Sequence, residues 1–312
     1  MRNSIRKLFL LACLGASFII IIGFLNRLHP AFDTLAHFRL HASAGLILVC
    51  LFLFFQERIK LGLLALIIAL AGFSYSYSGT GFAALHRDSI PDRPTYKMFH
   101  FNLLWLNTRK QHTIDRISQL DPDLISISEA SETWEPFLSQ LSARWPNMAH
   151  CPEGHIRGGV KILSKWQLDP SNDYCGDFGS FQKTDVILKG GDRVTLGVVH
   201  PRWPWPASGP RQVDSFLPVL SRLGPDALIA GDFNATTWSW GVQRFADAGG
   251  LSIHPGIGGT WMFGILPAGL VRIIGLPIDN VMSKGSVRIL SVQSLEEMGS
   301  DHLPLMIEFQ IQ

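Results

Sequence analysis

The sequence predicts an α/β domain carried behind a bundle of three membrane-spanning helices. Three observations lead there. Apolar residues make up 47% of the 312 residues and charged ones 17%, with mean hydropathy +0.20, too apolar for an ordinary soluble protein of this length. The excess sits in the first quarter of the chain, so the averages describe two different objects. After a stretch holding Gly79, Gly81, Pro91 and Pro94, short β-rich runs alternate with polar helical ones.

Residues 1–80 form the predicted transmembrane region, with helices at about 8–25, 35–55 and 61–78. Crossing the hydrocarbon core takes about 20 apolar residues. The first and third runs meet that length. The second reaches it only by starting near Leu35 and taking in His37, Arg39 and His41, with Arg39 able to snorkel to the interface. Basic residues before the first run also suit a cleaved signal peptide, but its length and the apolar segments that follow favour a retained helix. Arg2, Arg6 and Lys7 flank the first helix, and Arg58 and Lys60 lie in the short second loop. Both flanks read as cytoplasmic. The expectation is therefore a multi-pass protein of the cell (inner) membrane with its C-terminal domain on the periplasmic or extracellular side. A middle segment that does not span would invert this.

The charge balance splits with the hydropathy. Of 27 Lys+Arg and 25 Asp+Glu, 8 and 3 fall in residues 1–91, leaving 19 and 22 in residues 92–312. Nucleic-acid binding runs on a basic surface, so the net −3 of the second part disfavours a nucleic-acid partner without excluding one. The lipid bilayer is the partner the sequence states most directly. Cys13 and Cys50 sit in apolar runs as small hydrophobes. Cys151 and Cys175 are the two cysteines of the C-terminal domain, and an outside location permits a disulfide between them.

Residues 81–95 read as a linker and 96–312 as one domain. Strands are expected at 97–102, 124–128, 160–164, 184–188, 194–199, 227–230, 278–282 and 303–310. Helices are expected at 113–120, 133–143, 211–223 and 240–248. Polar residues recur where strands end or begin: Asn102, Glu129, His200, Asp232, Asn234, Asp279, Asp301 and His302. Strand ends and their loops are where α/β enzymes place chemistry. Taken singly, Asp232 could form a turn and Asn234 cap a helix. Glu129 is less easily absorbed, because a Glu closing an apolar strand needs a partner if buried.

Five segments carry more than local meaning: Phe99–Asn102, DPDLISISE at 121–129, GDFN at 231–234, IDNV at 278–281 and GSDHL at 299–303. In this order they resemble the endonuclease/exonuclease/phosphatase superfamily, also called deoxyribonuclease-I-like, over residues 96–311. The resemblance implies a four-layer sandwich, two mixed β-sheets face to face with helices outside. It implies metal-dependent phosphoester hydrolysis. Such chemistry needs an activated water and charge neutralisation at the phosphoryl oxygens, and carboxylates suit a hard cation, Mg²⁺ or alternatively Mn²⁺ or another divalent ion.

By the same resemblance Glu129, Asn102 and Asp301 hold the metal. Asp232 orients or deprotonates the attacking water, Asn234 fixes the phosphate or nucleophile, and Asp279 pairs with His302, which contacts the phosphate or assists proton transfer. His200 lies near the scissile group. Arg202 and Trp203 in the proline-stiffened segment 200–206 are candidates for substrate contact, and the Gly-rich apolar region 256–275 could dip toward a lipid surface. Membrane attachment and the mildly acidic domain favour a lipid or small envelope phosphoester as substrate. An extracytoplasmic nuclease or a catalytically inactive scaffold domain are the alternatives. The scaffold needs none of the acid/base set, and the whole set is present.

Overall fold

Four helices precede the β-rich domain: α1 (Arg2–Gly23), α2 (Pro30–Ala36), α3 (Arg39–Phe55) and α4 (Ile59–Thr80). The computed structural model describes residues 2–80, 86–152 and 157–312, so residues 81–85 of the predicted linker lie outside the described residues. Helices Ser4–Gly23 and Ile59–Tyr77 are long and apolar enough to cross a membrane. α1, α3 and α4 pack around Cys13, Ile20, Leu46, Cys50, Leu53, Ala65 and Ala69. Gly72 lets α4 approach closely, since a Cβ there would lie 2.5 Å from Ser43 Oγ and 2.7 Å from Ile20.

The middle segment, expected as one helix over 35–55, is two helices meeting at 56°. The break has a tertiary cause. The Trp238 indole donates to the Ala36 carbonyl at 2.7 Å, taking an acceptor that a continuous helix would use. Asp33 of α2 is drawn to the other domain in the same way. It accepts from Ser239 Oγ at 2.7 Å, Trp240 N at 2.8 Å and Gly241 N at 3.2 Å.

The second part contains β1 (Tyr96–Asn102), α5 (Lys110–Leu120), β2 (Leu124–Ala130), α6 (Glu135–Leu138), β3 (Asn147–Cys151), β4 (Gly159–Ser164), β5 (Gln167–Cys175), β6 (Phe181–Ile187), β7 (Arg193–Val199), α7 (Gly209–Leu220), β8 (Ala227–Asp232), α8 (Trp240–Gly249), β9 (Ser252–Ile253), α9 (Ala268–Ile274), β10 (Asp279–Lys284), β11 (Val287–Ser294) and β12 (Leu305–Ile311). One sheet runs β11-β12-β1-β2-β4-β3 and the other β5-β6-β7-β8-β10-β9. Each is antiparallel except for a parallel pair near its middle, β1 with β2 and β7 with β8.

Period-two alternation gives each strand two uses. Met98, Leu124, Val186, Leu196, Val198, Leu228, Ala230, Val281 and Ile307 meet between the sheets. The opposite faces carry Phe99, Phe101, Ile125 and Ile127 to α5 and α6, and Phe181, Ala227 and Ile229 to α7 and α8. The result is four layers, helix–sheet–sheet–helix. Cys151 and Cys175, closing edge strands β3 and β5 of opposite sheets, are disulfide-bonded with Cα atoms 5.2 Å apart.

Each of the eight runs expected as strands overlaps a strand, with Leu188, Ile278, Leu303 and Pro304 falling just outside. The four additional ones, β3, β5, β9 and β11, are the four sheet edges. An edge strand is paired on one side only, and β5 is largely exposed, so its apolar signal is weak. The helix expected over 133–143 is a chain of short turns, two 3-10 segments around α6.

α8 lacks a side-chain cap from its own N-cap residue Ser239, and Asp33 supplies one from 207 residues away in sequence. Asp33→Ala should therefore leave two helix-terminal N–H groups without that acceptor. The expected result is a loss of about 1–2 kcal/mol, read as a fall of about 2–6 °C in the melting temperature of the full chain in detergent. An unchanged melting temperature would show that α2 contributes nothing to holding the domain.

Candidate active site

The same alternation that fills the inter-sheet core ends on polar residues at one end of the sandwich. On β1, Met98 and His100 lead to Asn102. Leu196 and Val198 on β7 lead to His200, Leu228 and Ala230 on β8 lead to Asp232, and Asp279 shares its face with Val281 on β10. Asp279 and Asp232 are direct cross-strand partners. Glu129 breaks this parity. Ile125 and Ile127 face the helices, and simple alternation would send Glu129 after them. A left-handed φ of 56°, where the β2–β4 register shifts, re-aims it.

These side chains form one connected group. Asn102 Nδ2 donates to Asp232 Oδ2 at 2.9 Å and lies 3.4 Å from Glu129 Oε1. The Trp105 N–H donates to Glu129 Oε2 at 3.0 Å. His302 Nδ1 meets Asp279 Oδ2 at 2.9 Å, and its Nε2 stands 3.4 Å from Asp232 Oδ2. His200 Nε2 stands 3.5 Å from the same oxygen and 3.8 Å from Glu129 Oε1. The Asn234 N–H donates to Asp232 Oδ1 at 2.8 Å, and its side-chain amide holds the Pro201 carbonyl at 2.9 Å. Asp301, next to His302, accepts from Trp261 Nε1 at 2.9 Å.

The electrostatics follow from burial of carboxylates and imidazoles against one another. Burial alone would lower the His302 pKa, but the Asp279 and Asp232 carboxylates outweigh it and lift it to about 10. Burial pushes Asp279 up, and the His302 and His100 imidazoles overcome that and hold it below the usual carboxylate range. Asp232 is pushed up by burial, only partly offset by His302, with Asp279 adding to the rise.

Among the described residues no Lys or Arg pairs with Glu129, Asp232, Asp279 or Asp301. Four carboxylates at one buried end, countered only by imidazoles, leave room in the charge balance for a divalent cation. Two sets of donors fit one. Asp232, Asp279 and His302 place a ligand atom each within 4.8 Å of one another. Glu129 and Asp232 offer carboxylate oxygens suited to Mg²⁺, with the Asn102 Nδ2 turned to both and its Oδ1 accepting from the Leu104 N–H. The second set fits better, because His302 is engaged with Asp279 and held protonated, and a protonated imidazole is no ligand.

The structure thus brings together Asn102, Glu129, His200, Asp232, Asn234, Asp279 and His302, with Asp301 beside them. Arg202 and Trp203 line a cavity of about 340 Å³ that opens beside His200 and Asn234. Arg202 lies over the Phe178 ring at 5.2 Å, and Trp203 packs against Trp261 and His37 at 5.8 and 5.3 Å. The Cys151–Cys175 bridge gives no atom to the group. The Thr260–Trp261 pair, which the resemblance places near the site ahead of the Asp279 strand, does lie there, the Thr260 hydroxyl accepting from the Asp279 N–H at 3.2 Å. Sequence reasoning misses His100, whose Nε2 approaches Asp279 Oδ1 to 3.5 Å. A signal for His100 exists, since it sits two residues before Asn102 and so shares its face.

A profile of the Endonuclease/Exonuclease/phosphatase family matches residues 99–302. Solved structures similar in fold include the following three. A D. rerio TDP2 complexed with a single-strand DNA product is 14% identical, with a TM-score of 0.55 over 69% of this chain and 98% of that one. Sphingomyelinase C from Streptomyces griseocarneus is 14% identical, with a TM-score of 0.50 over 70% and 100%. A Staphylococcus aureus beta toxin variant with bound magnesium ions is 14% identical, with a TM-score of 0.51 over 69% and 99%. A probable RNA-directed DNA polymerase from the Drosophila melanogaster transposon X-element is 28% identical over 164 residues, 49% of this chain and 17% of that protein.

Proposed function

Because the chain belongs to the Endonuclease/Exonuclease/phosphatase family, whose members are phosphoesterase and nuclease hydrolases, we propose that it is a membrane-anchored, divalent-metal-dependent phosphodiesterase-type hydrolase of a lipid or small phosphoester of the cell envelope. The observation that carries this is the group of buried carboxylates around Asn102 and His302, with no Lys or Arg partner among the described residues.

In this reading Glu129 and Asp232 would hold Mg²⁺ or a similar ion, braced by the Asn102 Nδ2, with Asp301 nearby. When bound, the ion neutralises charge on the phosphoryl oxygens and acidifies a water. Asp232 lies where it can orient the attacking water and take its proton, and the Asn234 N–H fixes the carboxylate's rotation. His302, oriented by Asp279, presents its Nε2–H to the phosphoryl oxygens as charge develops on them. His200 faces the same space from β7 and is placed for the leaving oxygen. Asn234, Arg202 and Trp203 border the cavity that receives the rest of the substrate.

The two helices able to cross a membrane support an integral anchor, and α3 as a third span would place the hydrolase domain outside the cytoplasm. The lipid reading is supported by the fold shared with a sphingomyelinase and by a domain without basic excess.

The test uses the full chain in nanodiscs. Turnover of a chromogenic phosphodiester, a phosphomonoester, phospholipids and plasmid DNA is measured with Mg²⁺, with Mn²⁺ and with chelator. The expected result is chelator-sensitive diester hydrolysis, highest on lipid, that falls about a thousandfold in Asp232→Asn. Preference for plasmid DNA would make it a nuclease. A folded protein inert with every ion would make it a binding domain.

A further inference from the structure

The segment 262–274 leaves the domain between Trp261 and Leu276, which bridge each other across its base. Its inward side is well seated: Ala268 and Val271 are buried with Leu303, and Met262 and Leu266 pack on them. Its outward side is apolar and open. Phe263 is 89% exposed and Ile273 70%, with Ile265, Leu270 and Ile274 also exposed. On α9, Leu270, Ile273 and Ile274 recur at helical spacing, so they form one face. No charged residue occurs from Trp261 to Val271. The charge that follows, Arg272, is drawn back into the domain by the Ser294 and Leu295 carbonyls and Glu296. The outward face is therefore uncharged as well as apolar.

The place of this face says what covers it. His41, in the first turn of α3, lies 2.8 Å from the Ile274 carbonyl, so α9 stands at the mouth of the helical bundle. Other exposed apolar groups gather around the same helix ends. Leu28 and Phe38 flank α2, and the half-exposed Trp205 is tied to Thr34 of α2 by two hydrogen bonds. Aromatic and apolar side chains gathered at the ends of apolar helices mark a membrane–water interface.

We propose that the segment 262–274 is immersed in the membrane that holds the helices, and that the scissile phosphoester is drawn from that same lipid surface. The second half rests on the hydrolase reading above. The first does not. The link between them is Trp261, which anchors the segment, donates to Asp301 and bridges to the His302 backbone. One indole thus separates the lipid-facing wedge from the residue placed at the phosphate. A head group lifted to His302 can leave its acyl chains beside α9.

The test uses the full chain in phosphatidylglycerol/phosphatidylcholine nanodiscs. Cys13 and Cys50, both buried and free, are replaced by Ala, and Ile273→Cys carries an environment-sensitive fluorophore. Quenching by lipids brominated high in the acyl chain, with protection from aqueous iodide, is expected. Emission typical of water, quenched by iodide, overturns the wedge. Protection that persists in detergent and grows with protein concentration identifies a second copy of the chain and also overturns it. In the same nanodiscs, Phe263→Asp with Ile273→Asp should lower the ratio of phospholipid to soluble-diester turnover about tenfold. An unchanged ratio overturns the lipid-drawn substrate. A quenched label in a protein that turns over nothing leaves the wedge standing and removes the hydrolase.

Discussion

Replacing His302 by alanine is expected to lower kcat/KM for a phosphodiester by about a thousandfold, near 4 kcal/mol of transition-state stabilisation. The size follows from placement. The imidazole is held protonated between Asp279 and Asp232, and its Nδ1 is committed to Asp279 at 2.9 Å. Its Nε2, 3.4 Å from Asp232 Oδ2, is placed to meet charge that appears only as the phosphoryl group reacts. A stability effect must be separated from this one. Removing His302 leaves Asp279 buried beside the Asp232 carboxylate, with His100 at 3.5 Å as its remaining basic neighbour, and a poorly compensated buried charge is costly. Asp279→Asn with His302→Ala should therefore melt higher than His302→Ala alone, while both stay equally inactive. If His302→Ala melts lower yet keeps a third of its activity, His302 is a structural partner of Asp279 and nothing more.

Glu129→Gly separates catalysis from folding in the opposite direction. Glu129 has φ of 56°, a conformation that costs a side-chain-bearing residue about 1–3 kcal/mol and glycine almost nothing. The glycine variant should melt at or above the parent temperature. Its affinity for Mg²⁺ should fall about a hundredfold or more, since a direct ligand matters at least as much as the groups that merely orient ligands. The rise in melting temperature that Mg²⁺ gives the parent should vanish with it, and turnover should become undetectable. An intact Mg²⁺-dependent rise in the variant would move the ion to Asp232, Asp279 and His302, the other set of donors close enough to share it.

Several of these residues are legible in the sequence because strand chemistry is local. Apolar runs that end in Asn102, Asp232 or His200 announce strand ends, and period two places those ends on a common face. His100 carries the same signal one step earlier on β1, muted because it lies inside the run rather than at its end. Glu129 is legible as a residue but not as a direction, because its aim depends on one left-handed backbone step. The edge strands β3, β5, β9 and β11 are faint because a strand paired on one side has less apolar surface to declare.

By itself, the sequence determined the apolar N-terminal helices, the eight interior strands and the identity of the carboxylate, imidazole and amide groups at their ends. These follow from composition and short-range periodicity. Tertiary structure alone decided which groups meet. The Asp279–His302 contact spans 23 residues, Asn102–Asp232 spans 130 and the contact of Asp33 with Ser239 at the start of α8 spans 206. It also decided that the middle apolar segment bends, because an indole from Trp238 claims the Ala36 carbonyl. Such contacts leave no local periodicity. They exist only when two sheets and a helical bundle have closed on one another, and the charges they bury acquire their pKa values only then.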